Sequence, residues 1–152
     1  MNKIIIDTRE YVQELKKLVE EGKEVGMRIA GNSMAPFLVH ERDYIFFQKP
    51  DRELKKGDMV FYERRNGQFV MHRIYKATER GFMIVGDAQT EIEPFIQPEQ
   101  IFARITKVNR KGKELTEKDF CWKFFQYVWI RMVPVRIFLM KTYGRLKKKK
   151  TA

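Results

Sequence analysis

One serine stands where a catalytic serine could be presented. Ser33 lies in the segment Gly-Asn-Ser-Met-Ala-Pro at 31–36, directly after the apolar segment EVGMRIA. Gly31 allows a sharp turn, and Pro36 restricts how the chain leaves it. A hydroxyl is a poor nucleophile unless a base takes its proton. The segment therefore predicts either an ordinary turn or a nucleophile, and the other residues must decide.

The base must be one of two histidines, His40 and His72. His72 lies in FVMHRI, where strand alternation puts it on the same face as Val70 and Ile74. An imidazole titrates near neutral pH, as a general base should. His40 lies in a polar turn. We therefore favour His72, with His40 as the weaker candidate.

Asp87 is the candidate for a supporting acid. It follows an apolar segment directly after Gly86, where a turn can aim the carboxylate inward. A carboxylate beside His72 would fix the tautomer of the imidazole and stabilise the imidazolium formed when Ser33 loses its proton. The alternative is that Asp87 only caps a turn. For Asp58, in the segment KKGD, we expect only that structural role.

Short β-segments must bring these residues together. Five or six of them follow one another from 25 to about 110, and Asn66-Gly67 is the strongest hairpin signal among them. No helical pattern separates them. The spacing predicts a mainly β fold, a small antiparallel sheet or barrel, over residues 25–115.

A helix is expected before the β-rich domain. Residues 1–24 predict an N-terminal amphipathic helix, whose apolar face comprises Val12, Leu15, Leu18 and Val19. Its polar face carries both signs of charge, so we expect this helix to pack on the domain.

The C-terminal region, residues 116–152, predicts a helical segment and a tail. It is rich in aromatic residues, and Pro134 should kink or end the helix. The last 12 residues carry six Lys and Arg and no acid. A cationic aromatic helix suits a membrane interface, yet it can equally pack on the domain or on a second copy. The pattern leaves both interpretations open for residues 123–150.

Composition narrows the function classes. The chain has 152 residues, 43% of them apolar, which is enough for one core. The single cysteine, Cys121, excludes an internal disulfide. No secretory signal and no apolar run of about 20 residues is present, so no membrane-spanning helix is expected. Neither a metal site nor a nucleotide-binding glycine loop can be built from the motifs, so no cofactor is predicted.

Four motifs occur in the order found in one group of peptidases. They are GNSMAP, KKGDMVFY, FVMHRI and FMIVGDAQ. Together they resemble the signal peptidase I superfamily, which includes LexA-like self-cleaving proteins. Many relatives carry a lysine base, whereas the endoplasmic-reticulum and archaeal type carries histidine followed by arginine, as in His72-Arg73. The resemblance is thus closest to the Ser-His branch.

This resemblance implies a serine endopeptidase that removes a leader or signal-like segment after small residues. Ser33 would be the nucleophile, His72 the general base and Asp87 the supporting acid. The substrate would lie extended beside the segment GMRIA. Arg28 and Arg73 could contact it, although structural roles are expected for both.

The chain departs from that family at three points. Gly31 stands where many signal peptidases have a Ser or Thr that helps hold the oxyanion, which leaves the Ser33 N–H and the Asn32 side chain. The Ser-His branch tends to carry a second acid six residues after the first, where this chain has Glu93, with Glu91 nearby. Asp87 remains the first choice. The usual N-terminal membrane anchor is not expected here.

Two other function classes compete with the peptidase. One is a LexA-like regulator that cleaves itself or does not catalyse, although 24 residues before the domain are too few for a DNA-binding helix-turn-helix. The other is a basic module that binds lipid or nucleic acid through residues 123–150. No motif for base readout is present, so nucleic acid is not the expected partner. We expect a peptide or precursor-protein substrate and a cytoplasmic location, at the inner membrane face if the C-terminal region binds lipid.

Overall fold

A computed structural model describes residues 8–136, 138–139 and 141–142. One helix precedes eight strands, and a helical segment follows them. The elements are α1 (Thr8–Glu20), β1 (Val25–Arg28), β2 (Tyr44–Gln48), β3 (Met59–Glu63), β4 (Phe69–Thr78), β5 (Gly81–Val85), β6 (Glu93–Ile96), β7 (Ile101–Arg110), β8 (Lys113–Thr116) and α2 (Phe120–Lys123). After α2 the chain continues as a π-helical turn, Phe124–Val128, and a 3₁₀ helix, Trp129–Val135. We call residues 120–136 the C-terminal helical segment.

The eight strands form one antiparallel sheet that does not close into a barrel. Their order is β1-β2-β7-β3-β4-β5-β6, and β8 pairs with β7. The prediction of a mainly β, antiparallel fold is confirmed, and of its two forms the structure shows the open sheet. Asn66 and Gly67 lie in the turn between β3 and β4, as predicted, and Gly67 has a φ of 88°. The sheet leaves β1 and β6 at its two ends.

The two helical regions pack into the main core of the sheet. Val12, Leu15 and Val19 of α1 are buried there, together with Trp122, Phe125 and Trp129 of the C-terminal helical segment. Leu18, expected on the same face of α1, is 36% exposed. Residues 1–7 and the tail from residue 143 lie outside the described residues.

The C-terminal helical segment has one buried face and one exposed face. On its inner face, Ile130 and Val133 form a smaller buried cluster with Val85 of β5, so the packing interpretation is confirmed for that face. The helix is interrupted at Met132, two residues before Pro134, where φ and ψ leave the helical region. Within the part of the chain that the structure describes, no helix has the length and apolar character needed to cross a membrane.

Candidate functional site

The Ser33 loop connects β1 to β2 and is packed against the main core. Met34 is 2% exposed and belongs to the main core, as expected for a residue that packs under the loop. Gly31 has a φ of 87°, a conformation that residues with a Cβ rarely adopt. The Ala35–Pro36 peptide bond is cis. The Ser33 side chain itself is half-buried at the surface of a cleft.

His72 lines the same cleft as Ser33. The cleft has a volume of about 790 Å³, and it contains both residues among its walls. His72 lies in β4 opposite Val60 of β3 and is 5% exposed. No hydrogen bond joins Ser33 to His72 among the described residues. Catalytic hydrogen bonds are often long in a free enzyme and shorten when substrate binds. The positions of Ser33 and His72 are therefore compatible with catalysis.

A tyrosine and a carboxylate stand behind His72. The Tyr62 hydroxyl lies 3.5 Å from His72 Nδ1 and donates a hydrogen bond of 2.9 Å to Glu93. Because the Tyr62 hydroxyl donates its hydrogen to Glu93, the Tyr62 oxygen can only accept a hydrogen bond from His72. This contact therefore favours the tautomer with a proton on Nδ1 and a free lone pair on Nε2. Arg64 in turn binds both oxygens of Glu93.

The electrostatics keep His72 neutral. Burial lowers the pKa of His72 to about 4, and the Arg64 cation adds to this effect, whereas Glu93 opposes it. Burial alone would raise the pKa of Glu93, but hydrogen bonds from Arg64 and Tyr62 outweigh it and hold that pKa below its usual range. At neutral pH the imidazole is therefore in the form that accepts a proton.

No hydrogen bond between Asp87 and His72 occurs in the part of the chain that the structure describes. The two carboxylate oxygens of Asp87 accept from Arg73 Nε at 2.9 Å and Nη2 at 3.0 Å, and both side chains are fully buried. The remaining guanidinium nitrogen of Arg73, Nη1, donates a hydrogen bond to the carbonyl oxygen of Gly57. The reason is the alternation of β4, which sends His72 and Arg73 to opposite faces of the strand. The structure thus differs from the expected contact, and the described contacts of Asp87 are structural.

The loop after β5 supports the Ser33 loop directly. Ala88 N–H donates to the carbonyl oxygen of Ser33 at 2.9 Å. A Cβ at Gly86 would lie 2.5 Å from that same oxygen, so only glycine allows the two loops to approach so closely. The Asp87 loop therefore helps to position the nucleophile through its backbone, whatever its side chain does.

The C-terminal helical segment anchors this loop from the other side. Arg136 is fully buried and donates to the carbonyl oxygens of Gly86 and Gln89, at 2.9 Å each, and to that of Trp129 at 3.0 Å. The Trp129 indole N–H donates to the Asp87 carbonyl oxygen at 2.7 Å. Sequence reasoning missed both roles, and also that of Tyr62. The sequence signal for Arg136 is a cation within the apolar run VPVRIF.

The remaining candidates have simpler contacts. His40 accepts a hydrogen bond from the Gly31 N–H on Nδ1 at 2.7 Å, so its described contact stabilises the loop. Asp58 closes the turn at Lys55 and pairs with Arg52, as expected for a structural carboxylate. Asn32 is exposed, and neither its side chain nor the Ser33 N–H has a hydrogen-bond partner among the described residues. Both are therefore available to an oxyanion.

The described residues offer no group of three His, Cys, Asp or Glu side chains that could hold a metal ion. The candidate site supplies a hydroxyl, a neutral imidazole and N–H donors. These are the groups that acyl transfer requires.

Comparison with known proteins identifies one family. The family model described as Peptidase S24-like matches residues 2–106. Comparison with curated proteins and with solved structures gives no significant match. The matched region contains Ser33, His72 and Asp87, whereas the C-terminal helical segment lies beyond it. The match covers more than half of the chain.

Proposed function

The chain belongs to the Peptidase S24-like family, within the LexA and signal peptidase I-like serine peptidases, and we propose that it is a serine endopeptidase with Ser33 as nucleophile and His72 as general base. One observation supports this most strongly: a buried, neutral imidazole shares a cleft with the serine of the GNSMAP motif. The histidine base would place the chain in the Ser-His branch of the superfamily.

In each half of the proposed reaction, His72 first takes a proton and then gives it up again. Ser33 Oγ attacks the scissile carbonyl while its proton passes to Nε2 of His72, and the oxyanion takes hydrogen bonds from the Ser33 N–H and Asn32. The imidazolium then gives its proton to the leaving amine. A water molecule, deprotonated by the same imidazole, hydrolyses the acyl-enzyme and restores Ser33.

Glu93, acting through Tyr62, takes the supporting role that the motifs suggested for Asp87. When His72 gains a proton, its Nδ1–H points to the Tyr62 oxygen, and the Glu93 charge lies directly behind it. Asp87 has a structural role instead: it neutralises Arg73, and it belongs to the loop that supports Ser33. This assignment predicts different outcomes for the two carboxylates.

The proposed substrate is a leader or signal-like segment with small residues before the cut. The β1 strand supports this proposal, since it stands at the end of the sheet and lines the cleft with residues 27–28. An extended peptide can pair with such an edge through main-chain hydrogen bonds.

Hydrolysis of a signal-like peptide tests the function. We expect the wild-type protein to cleave it, and Ser33→Ala and His72→Ala each to lose about 10³-fold or more of kcat. His40→Gln is the matched control, because it removes the other imidazole and keeps an acceptor for the Gly31 N–H. Equal hydrolysis by Ser33→Ala would overturn the proposal. If the wild type instead shortens its own chain, intact mass will reveal the self-cleaving alternative.

We also propose that the exposed face of the C-terminal region contacts an anionic membrane surface. Phe120 is 85% exposed and Phe138 is 72% exposed, and Tyr127, Val128 and Val135 are about half exposed. Lys123, Arg131 and Lys141 are exposed along the same stretch. Aromatic side chains among cations suit the boundary between headgroups and acyl chains, and would place the protein at the inner membrane face.

Vesicle co-sedimentation tests this contact. Binding to vesicles that contain anionic lipid is expected, with little binding to neutral vesicles and a clear loss in Phe138→Ser. Phe95→Ser, which changes a phenylalanine on β6, is the control. Equal binding by wild type and Phe138→Ser would contradict the proposed contact.

A further inference from the structure

The cleft at Ser33 is cationic around an apolar floor. Its described lining includes three arginines, Arg9, Arg28 and Arg64, and no Asp or Glu. The floor is formed by Met27, Ile29, Met34, Phe61, Phe69 and Met71. A ligand that fills this cleft therefore meets apolar contacts below and positive charge at the walls.

The three arginines are not equivalent. Arg64 is balanced by Glu93, and Arg9 lies against Gly67 in the turn between β3 and β4. Arg28 is exposed on β1, where its hydrogen bonds go to the hydroxyl of Tyr44 rather than to a carboxylate. That contact and, more weakly, the charge of Glu41 raise the pKa of Arg28, so it remains a cation.

Strand geometry gives Arg28 a defined position relative to a bound peptide. Along β1 and the residue that follows it, Val25 and Ile29 are buried, whereas Gly26 and Arg28 are exposed. In a peptide paired with β1, side chains would alternate in the same way, and those beside Arg28 would lie on its face. The peptide side chains on the opposite face would reach the apolar floor.

From this arrangement we infer that the cleft selects an acidic peptide, one whose segment before the cut alternates small apolar residues with Asp or Glu. The inference rests on the proposed function and names its substrate class. Arg28 is the specificity residue. Arg73, the other arginine that could have met the substrate, is buried on Asp87.

The size of the effect follows from the exposure of Arg28. An opposite-charge pair across two strands contributes about 0.2–1 kcal/mol, which corresponds to roughly a 1.5- to 5-fold preference for each carboxylate. Attraction of the peptide to the cleft adds to the association rate and is screened by salt. We therefore expect about a 10-fold preference for an acidic over a basic peptide at low ionic strength.

The test uses three peptides that differ only at alternate positions before the cut, which carry Glu, Gln or Lys. The expected order of kcat/KM is Glu, then Gln, then Lys, expressed mainly in KM and reduced at high salt. Arg28→Gln should flatten this order, and Arg28→Glu should reverse it. Lys113→Glu, which changes an exposed cation at the start of β8, is the charge-matched control and should leave the order unchanged.

The outcomes separate this inference from the function on which it rests. If all three peptides are cleaved equally in a Ser33-dependent reaction, the peptidase stands and the acidic preference is overturned. An unchanged order in Arg28→Glu overturns the role of Arg28. If no peptide is cleaved, the proposed function and the inference fail together.

Discussion

Two arginine–carboxylate pairs, Arg73–Asp87 and Arg64–Glu93, differ in their surroundings. Arg73 and Asp87 are fully buried, with side-chain exposures of 0% and 0%. Arg64 and Glu93 are 31% and 27% exposed and stand beside the cleft. The chemistry of the two pairs is the same. The buried pair connects two loops, whereas Arg64 of the other pair lines the cleft.

The comparison shows how one strand directs two neighbouring residues to different carboxylates. His72 and Arg73 are neighbours in the chain, yet the alternation of β4 gives them different carboxylates. His72 is linked through Tyr62 to Glu93, and Arg73 binds Asp87. Closeness in the sequence is therefore not sufficient to assign a carboxylate to a histidine.

The largest expected effect comes from breaking the buried pair. Asp87→Asn leaves Arg73 and Arg136 buried without a carboxylate, so the free energy of unfolding should fall by about 3–5 kcal/mol. Urea unfolding measures this loss. Glu93→Gln is the matched carboxylate-to-amide change and should cost about 1 kcal/mol, since its partner is partly solvated. Equal losses in the two variants would remove the distinction.

The second prediction concerns the pH dependence of stability and activity that His72 causes. Because the pKa of His72 is about 4 in the folded chain against 6.5 unfolded, the unfolded state binds the proton first as the pH falls. Stability should therefore decrease from about pH 6.5 down to about pH 4, by roughly 3 kcal/mol in total from this residue. Urea unfolding across this range, compared with His72→Gln, isolates the contribution. The acidic limb of kcat/KM should lie near pH 4, and a limb near 6.5 would contradict a buried, neutral base.

The third prediction concerns the support of His72. Glu93→Gln and Tyr62→Phe should each lower kcat by about 10- to 100-fold, because the charge or the acceptor behind the imidazole is lost. KM should change little, since neither residue is expected to touch the substrate. Steady-state kinetics at neutral pH measure both constants. A loss confined to KM would indicate that the pair binds substrate instead.

The smallest effect is expected at the anchor of the Asp87 loop. Trp129→Phe removes the indole N–H that reaches the Asp87 carbonyl oxygen, and it should cost about 1 kcal/mol of stability. Thermal unfolding detects this change. Tyr127→Phe, an exposed aromatic residue two positions earlier, should leave the stability unchanged.

Local patterns predicted much of the fold and selected two residues that line the candidate cleft. Alternation and the Asn66-Gly67 turn were sufficient for the antiparallel strands, and motif order was sufficient for the family. Ser33 and His72 were selected from their own segments, and both line one cleft. Their catalytic roles remain proposals.

The partners of Asp87 and His72 could not be predicted, because they depend on strand order and register. Tyr62 reaches Glu93 across 31 positions, and Arg136 reaches Gly86 across 50. Nothing within either segment indicates such pairing. Burial and the pairing of distant segments determine which acid meets which cation.

The tautomer and charge of His72 test the account most directly. Nitrogen-15 NMR of the imidazole at neutral pH reports which ring nitrogen carries hydrogen, and His40→Gln identifies the His72 signals, since the chain has two histidines. The account predicts a neutral His72 with hydrogen on Nδ1 and an unprotonated Nε2, and a change in this pattern in Tyr62→Phe. An imidazolium at neutral pH, or hydrogen on Nε2, would contradict it.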